Sequence, residues 1–125
     1  MKILIVDDND RMRHLIRNLI QDLAEEIDER RDGSEVLAAF AGRPPDWVLM
    51  DISMKEMDGL TATQQLRAAY PKARVIIVSN YDDAVIRQEA RSAGACGYVT
   101  KANLWELRQI LGGAKLTEPS AGSAR

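Results

Sequence analysis

The sequence predicts an α/β protein: a doubly wound, five-stranded parallel sheet with five helices packed on its two faces. Two observations carry this expectation. Short apolar runs alternate five times with segments of helical periodicity. The runs are mostly continuous rather than alternating apolar and polar, as in strands covered on both sides.

Ile3-Leu4-Ile5-Val6 is the first strand and ends at Asp7-Asp8. Met12, Leu15, Ile16, Leu19, Ile20 and Leu23 follow with i, i+3, i+4 spacing, an amphipathic helix that Asn9 or Asp10 can cap. The second strand, near Ile27-Asp28-Glu29-Arg30, is polar and therefore expected at a sheet edge, with Asp28 to Arg31 in solvent. Asp32-Gly33-Ser34 reads as a turn and cap before a short helix marked by Val36, Leu37 and Phe40 and closed by Gly42 and Pro44-Pro45. Trp47 to Met50 is the third strand, and Asp58-Gly59 opens a helix that runs to Tyr70 and stops at Pro71. Val75 to Val78 is the fourth strand, ending at Ser79. Asp82 or Asp83 caps the helix that follows, and Gly94 closes it. Gly97 to Thr100 is a short fifth strand ending at Lys101, and Asn103 is expected to cap a last helix bearing Leu104, Leu107, Ile110 and Leu111. The domain spans residues 1–113, and residues 114–125, rich in Ser, Gly, Ala and Pro, read as a linker or flexible tail.

Composition narrows the function. The 125 residues suit one domain, and 46% hydrophobic residues can build its core. A net charge of −2 gives no broad basic surface for nucleic acid. The apolar runs fall far short of the roughly 20 residues of a membrane span. The apolar start is too short for a signal peptide, and one cysteine, Cys96, fits a reducing compartment. The expectation is a cytoplasmic domain with no membrane partner. Cys96 is expected to be a small buried side chain, Trp105 to pack partly buried, and His14 to be solvated.

Chemistry gathers at the strand ends. Open α/β sheets bind ligands beyond the carboxyl ends of their strands. Here those ends carry Asp7-Asp8, Asp51, Ser79 and Lys101. Three carboxylates repel one another, and a hard divalent cation such as Mg²⁺ is the simplest way to neutralise them. A carboxylate beside Mg²⁺ can act as a nucleophile toward phosphorus, with a lysine and a hydroxyl to stabilise the phosphoryl charge. The pattern points to a site that forms an acyl phosphate on one aspartate.

These residues resemble the receiver domain of two-component response regulators, most like receivers of the helix-turn-helix transcription-regulator branch. The matching stretches are ILIVDDN (3–9), VLMDISM (48–54), MDG (57–59), VIIVSNYDD (75–83) and GACGYVTK (94–101). The resemblance spans Met1 to about Gly113. It implies strand order 2-1-3-4-5, the flavodoxin-like order, with the polar second strand at the edge. It implies Asp51 as phosphoacceptor, Asp8 as a direct Mg²⁺ ligand, Asp7 acting through water, and a backbone carbonyl from Ser53. Ser79 matches the switch hydroxyl, Lys101 the lysine that pairs with phosphoryl oxygens, and Tyr98 the switch aromatic that packs inward when Ser79 moves. The bland alternative for Tyr98 is a core aromatic that does not switch.

By this resemblance the chain is a phosphorylation-activated signalling switch, not an enzyme on an outside substrate. A sensor histidine kinase would phosphorylate it, and the face of helix 4, strand 5 and helix 5 would repack to control an output domain or partner. A homodimer through that face, or through helices 1 and 5, is compatible with it. Nucleic acid would be reached only through an output domain absent from this chain, which is a piece of a regulator or a stand-alone receiver.

The chain departs from the pattern at two places. Lys55 stands where many receivers carry proline, and Asn80 where Ala or Gly is usual. Asn80 is expected to narrow access for the phosphodonor, and Tyr81 to shield the acyl phosphate from water. Three rival functions are weaker or rest on Asn80. An aspartyl-nucleophile phosphatase would place a second acid two residues after the nucleophile, where this chain has Ser53. A flavodoxin-like binder would need its first loop to cradle a phosphate, which Asp7-Asp8-Asn9-Asp10 would repel. A receiver locked by Asn80 would serve only as an interaction module.

Overall fold

The computed structural model describes residues 1–112; the expected end of the domain at residue 113 and the tail 114–125 lie outside them. Among the described residues, five strands alternate with five α-helices. They are β1 (Lys2–Val6), α1 (Asp10–Ile20), β2 (Glu26–Arg30), α2 (Val36–Phe40), β3 (Trp47–Met50), α3 (Gly59–Ala69), β4 (Val75–Ser79), α4 (Ala84–Ala93), β5 (Gly97–Thr100) and α5 (Glu106–Leu111). The strands form one parallel sheet in the order β2-β1-β3-β4-β5, as the resemblance implies.

Side chains alternate faces along a strand, so each continuous apolar run supplies two cores. Ile3, Ile5, Leu49, Ile76 and Val78 face one way, against Ile16 and Ile20 of α1 and Leu107 and Leu111 of α5. Leu4, Val6, Val48, Met50, Val75 and Ile77 face the other way, against Phe40 of α2, Leu66 of α3 and Ala90 of α4. β2 forms the sheet edge and is only partly buried along its length, with Ile27 packed on the core, so its other positions could be polar.

The helix starts follow capping chemistry. Asn9, Asp58 and Asp83 each accept a backbone N–H three residues on, closing the starts of α1, α3 and α4. Gly94 ends α4 at φ 109°, a backbone region that costs glycine nothing.

Several local expectations are overturned. Asn103 caps no helix: residues Lys101–Asn103 form a 3₁₀ turn, and α5 begins at Glu106 with no side-chain cap. Leu15 and Leu37 sit at the margins of their apolar stripes and are exposed, because only a narrow strip of each helix meets the sheet. Trp105 is 59% exposed, covered on one side only by the Arg108 guanidinium. Cys96 is exposed, since it lies in the turn before β5 rather than in the strand. Glu29 and Arg30 are only partly solvated; the Glu29 carboxylate takes hydrogen bonds from Arg13 (2.9 Å) and Arg17 (2.6 Å) of α1. His14 is exposed, as expected.

Candidate functional site

The register delivers the acids to one place. Val6 pairs with Met50, so the next residues, Asp7 and Asp51, emerge together from the centre of the sheet. The ladder continues past the strands: Asp51 N–H donates to the Val6 carbonyl (2.9 Å) and Asp7 N–H to the Arg30 carbonyl (3.1 Å). Backbone hydrogen bonds therefore fix both residues. Ser79, the last residue of β4, is 1% exposed, and Lys101 follows β5 directly.

The result is a cleft of about 290 Å³ beyond the strand ends. Asp7, Asp8, Asp51, Ser53, Ser79, Asn80, Tyr81 and Lys101 all line it. Every candidate residue except Tyr98 is thus gathered in one cleft. Asn9 also lines it, although the sequence marked it only as a cap.

Charge inside the cleft is unbalanced. Lys101 Nζ lies 3.0 Å from Asp51 Oδ1 and 3.1 Å from Asp7 Oδ2. Asp7 and Asp51 are only 2% and 6% exposed. Burial first, and then the Asp7 charge, push the Asp51 carboxyl above its ordinary value of 3.8, against the pull of Lys101. Burial alone would lower the Lys101 ammonium, but Asp51 and Asp7 outweigh it and hold the pKa above its ordinary value. The lysine therefore stays charged.

The donor set suits a divalent cation. Oxygens of Asp7, Asp8 and Asp51 lie within 4.8 Å of one another. Three carboxylates against one ammonium leave two negative charges, which one divalent ion balances. Asp7 Oδ1 accepts the Asn9 N–H (2.9 Å), but its buried Oδ2 has no well-aligned hydrogen-bond donor despite the nearby ammonium. That ammonium, 3.1 Å away, is shared with Asp51, so the buried acids are left short of positive charge that a divalent ion would add.

The two switch candidates are joined through one residue. The Ser79 hydroxyl accepts the Tyr81 N–H at 3.0 Å, and the Tyr98 hydroxyl donates to the Tyr81 carbonyl at 2.7 Å. Arg87 lies 4.6 Å over the Tyr98 ring and forms an ion pair with Asp82 (2.8 Å). The Tyr81 ring itself is 52% exposed at the rim.

Sequence reasoning missed Arg13. It is buried, and its guanidinium donates to the Asp7 carbonyl (2.6 Å), to Glu29 and to Asp10. It braces the backbone of the acidic turn against β2. The signal available was an arginine one position from the apolar stripe of α1, a common place for a solvated residue.

The comparisons agree with this geometry. Residues 3–111 match the response regulator receiver domain family. The chain is 34% identical to the chemotaxis protein CheY of Halobacterium salinarum over 100 residues, 80% of this chain and 83% of that protein. It is 36% identical over 119 residues to the uncharacterized transcriptional regulatory protein YhcZ of Bacillus subtilis, covering 90% of this chain but 56% of that one. The crystal structure of a two-component response regulator of the LuxR family from Aurantimonas sp. superposes with a TM-score of 0.81 at 30% identity, covering 94% of this chain and 89% of that one. The chain belongs to the response regulator receiver domain family. It is a phosphorylation-activated switch of two-component signalling, a class that works with histidine kinases and binds a metal ion at an acidic pocket. Among the described residues, no helix is long and apolar enough to cross a membrane.

Proposed function

We propose that Asp51 accepts the phosphoryl group, with Mg²⁺ held by Asp7, Asp8, Asp51 and the backbone carbonyl of Ser53. The observation that carries this reading is the buried Asp51 carboxylate, 3.0 Å from Lys101 and grouped with two further carboxylates. An Asp51 oxygen bonds to phosphorus as the bond from phosphorus to the donor histidine breaks. Lys101 is poised to shift its ammonium from carboxylate to phosphoryl oxygens. A divalent ion held by these acids would supply positive charge against the phosphoryl oxygens. The chain thereby catalyses only its own phosphorylation and dephosphorylation and acts on no outside substrate.

Ser79 couples the site to the surface. Rotation of the Ser79 side chain toward the phosphoryl group would carry its oxygen away from the Tyr81 N–H and loosen the residue whose carbonyl holds the Tyr98 hydroxyl. Movement of Tyr98 then repacks α4, β5 and α5, a two-state element biased by a local charge change. That face, or α1 with α5, would serve a homodimer or an output domain joined through residues 114–125. A cytoplasmic location suits a domain that a kinase must reach.

Treatment with a small acyl-phosphate donor and Mg²⁺ should label the wild-type chain on Asp51, and Asp51→Asn should take no label. Persistent labelling of Asp51→Asn would overturn the assignment. Tyr81→Ala should shorten the lifetime of the acyl phosphate, read as faster loss of label. An unchanged lifetime would show that the Tyr81 ring does not shield it. Neither Mg²⁺ binding nor labelling in the wild type would favour an interaction module locked by Asn80.

A further inference from the structure

We propose that Asp32 and Gly33 are positioning residues that mould the β3–α3 loop into its ion-binding shape. The proposal rests on the reading of Asp51, its acidic neighbours and the Ser53 carbonyl as a magnesium site. The loop between Met50 and Gly59 has no regular structure, so its backbone N–H groups need partners elsewhere.

Two of those partners come from one carboxylate. Asp32 Oδ1 accepts the Glu56 N–H at 2.9 Å, and Oδ2 accepts the Met57 N–H at 3.1 Å and the Ser34 N–H at 2.9 Å. Capping the turn at Gly33 needs only the bond from Ser34. The other two cross to a loop 24 and 25 residues away and exceed what a cap requires. Burial pushes the Asp32 carboxyl up, but these N–H groups outweigh it and hold the acid below its ordinary value, so it is ionised at neutral pH.

Gly33 presses on the same loop. A Cβ there would lie 2.7 Å from the Met57 carbonyl oxygen, 2.8 Å from Ala62 Cβ and 3.2 Å from the Asp58 carbonyl oxygen. The backbone before α2 therefore rests directly on the Met57–Asp58 peptides. On the far side, Gly59 N–H donates to the Ile52 carbonyl at 2.8 Å. Ser53, Met54 and Lys55 are strung between these two anchors, and the Ser53 carbonyl is placed by them. Asp32 is not among the residues lining the cleft, so it acts on the ion only through the loop.

Asp32→Ser separates the two tasks. A serine can still cap the Ser34 N–H but is too short to reach Glu56 and Met57. Magnesium chloride titrated into the full chain, followed by calorimetry, should bind Asp32→Ser about tenfold or more weakly than wild type, the usual scale for a residue supporting a metal ligand. Asp32→Asn, which keeps one acceptor oxygen, should recover part of the loss. In amide NMR spectra the Glu56 and Met57 protons should move upfield in Asp32→Ser, while those of α2 hold their positions. Unchanged magnesium affinity, with the Glu56 and Met57 signals shifted, would overturn the proposal and leave the magnesium site standing. A wild-type chain that binds no magnesium would overturn both. Should Asp32→Ser not fold, the affinity of Asp32→Asn decides alone, and equality with wild type overturns the proposal.

Discussion

Asp51 is held by two opposed demands. Its reactivity requires an ionised carboxylate, while its burial beside Asp7 resists ionisation and raises its pKa. A raised carboxyl favours the folded state when protonated. Its contribution is fully present below the unfolded value near 3.8 and is lost as pH rises through the higher folded value. Without magnesium, Asp51→Asn should therefore stabilise the chain at pH 7 and have little effect below the unfolded pKa. Urea midpoints measured across that range check this, and a uniform offset at every pH would contradict it. Lys101 works in the opposite sense, since its ammonium is the charge that makes the pair of buried acids tolerable. The lone acid at the end of an apolar run was legible from the sequence. Its distance from Lys101 was not, because that distance depends on how β3, β4 and β5 pair side by side in the sheet.

Gly59 sets the path of an element. It is the first residue of α3, where alanine would ordinarily gain up to about 1 kcal/mol of helix propensity. A Cβ there, however, would stand 1.9 Å from the Asp51 carbonyl oxygen and 2.8 Å from its carbonyl carbon. Overpacking of this kind costs about 1–3 kcal/mol, so the clash should win. Gly59→Ala should lower stability by about 2 kcal/mol and slow Asp51 labelling, because the backbone that must give way carries Asp51; denaturant melts and labelling rates would test both. At this scale the elements and most helix starts were readable, since caps and periodicity are local signals. Asn103 misled because Thr100-Lys101 leaves β5 into a 3₁₀ turn, which postpones α5 to Glu106. Leu15 and Trp105 misled because periodicity gives the direction of an apolar stripe but not the width that neighbouring helices cover.

Across the whole molecule, folding stability and ion binding are linked. An ion that binds only the folded state adds about 2.7 kcal/mol when free ion reaches 100 times its dissociation constant. Magnesium should therefore raise the melting temperature of the wild type. It should raise that of Asp8→Ala much less; an equal rise in both would place the ion elsewhere. The sequence by itself determined the alternation of strands and helices, the two-faced core of the central strands and the concentration of acids at strand ends. These follow from side-chain periods of 2 and 3.6, which any stretch of chain carries within itself. Only the tertiary structure decided which groups meet. It set Lys101 between two buried carboxylates, braced the Asp7 backbone with Arg13 and laid the Asp32 carboxylate on Glu56 and Met57. Those contacts join residues from different elements, and their distances exist only once both faces of the sheet are packed.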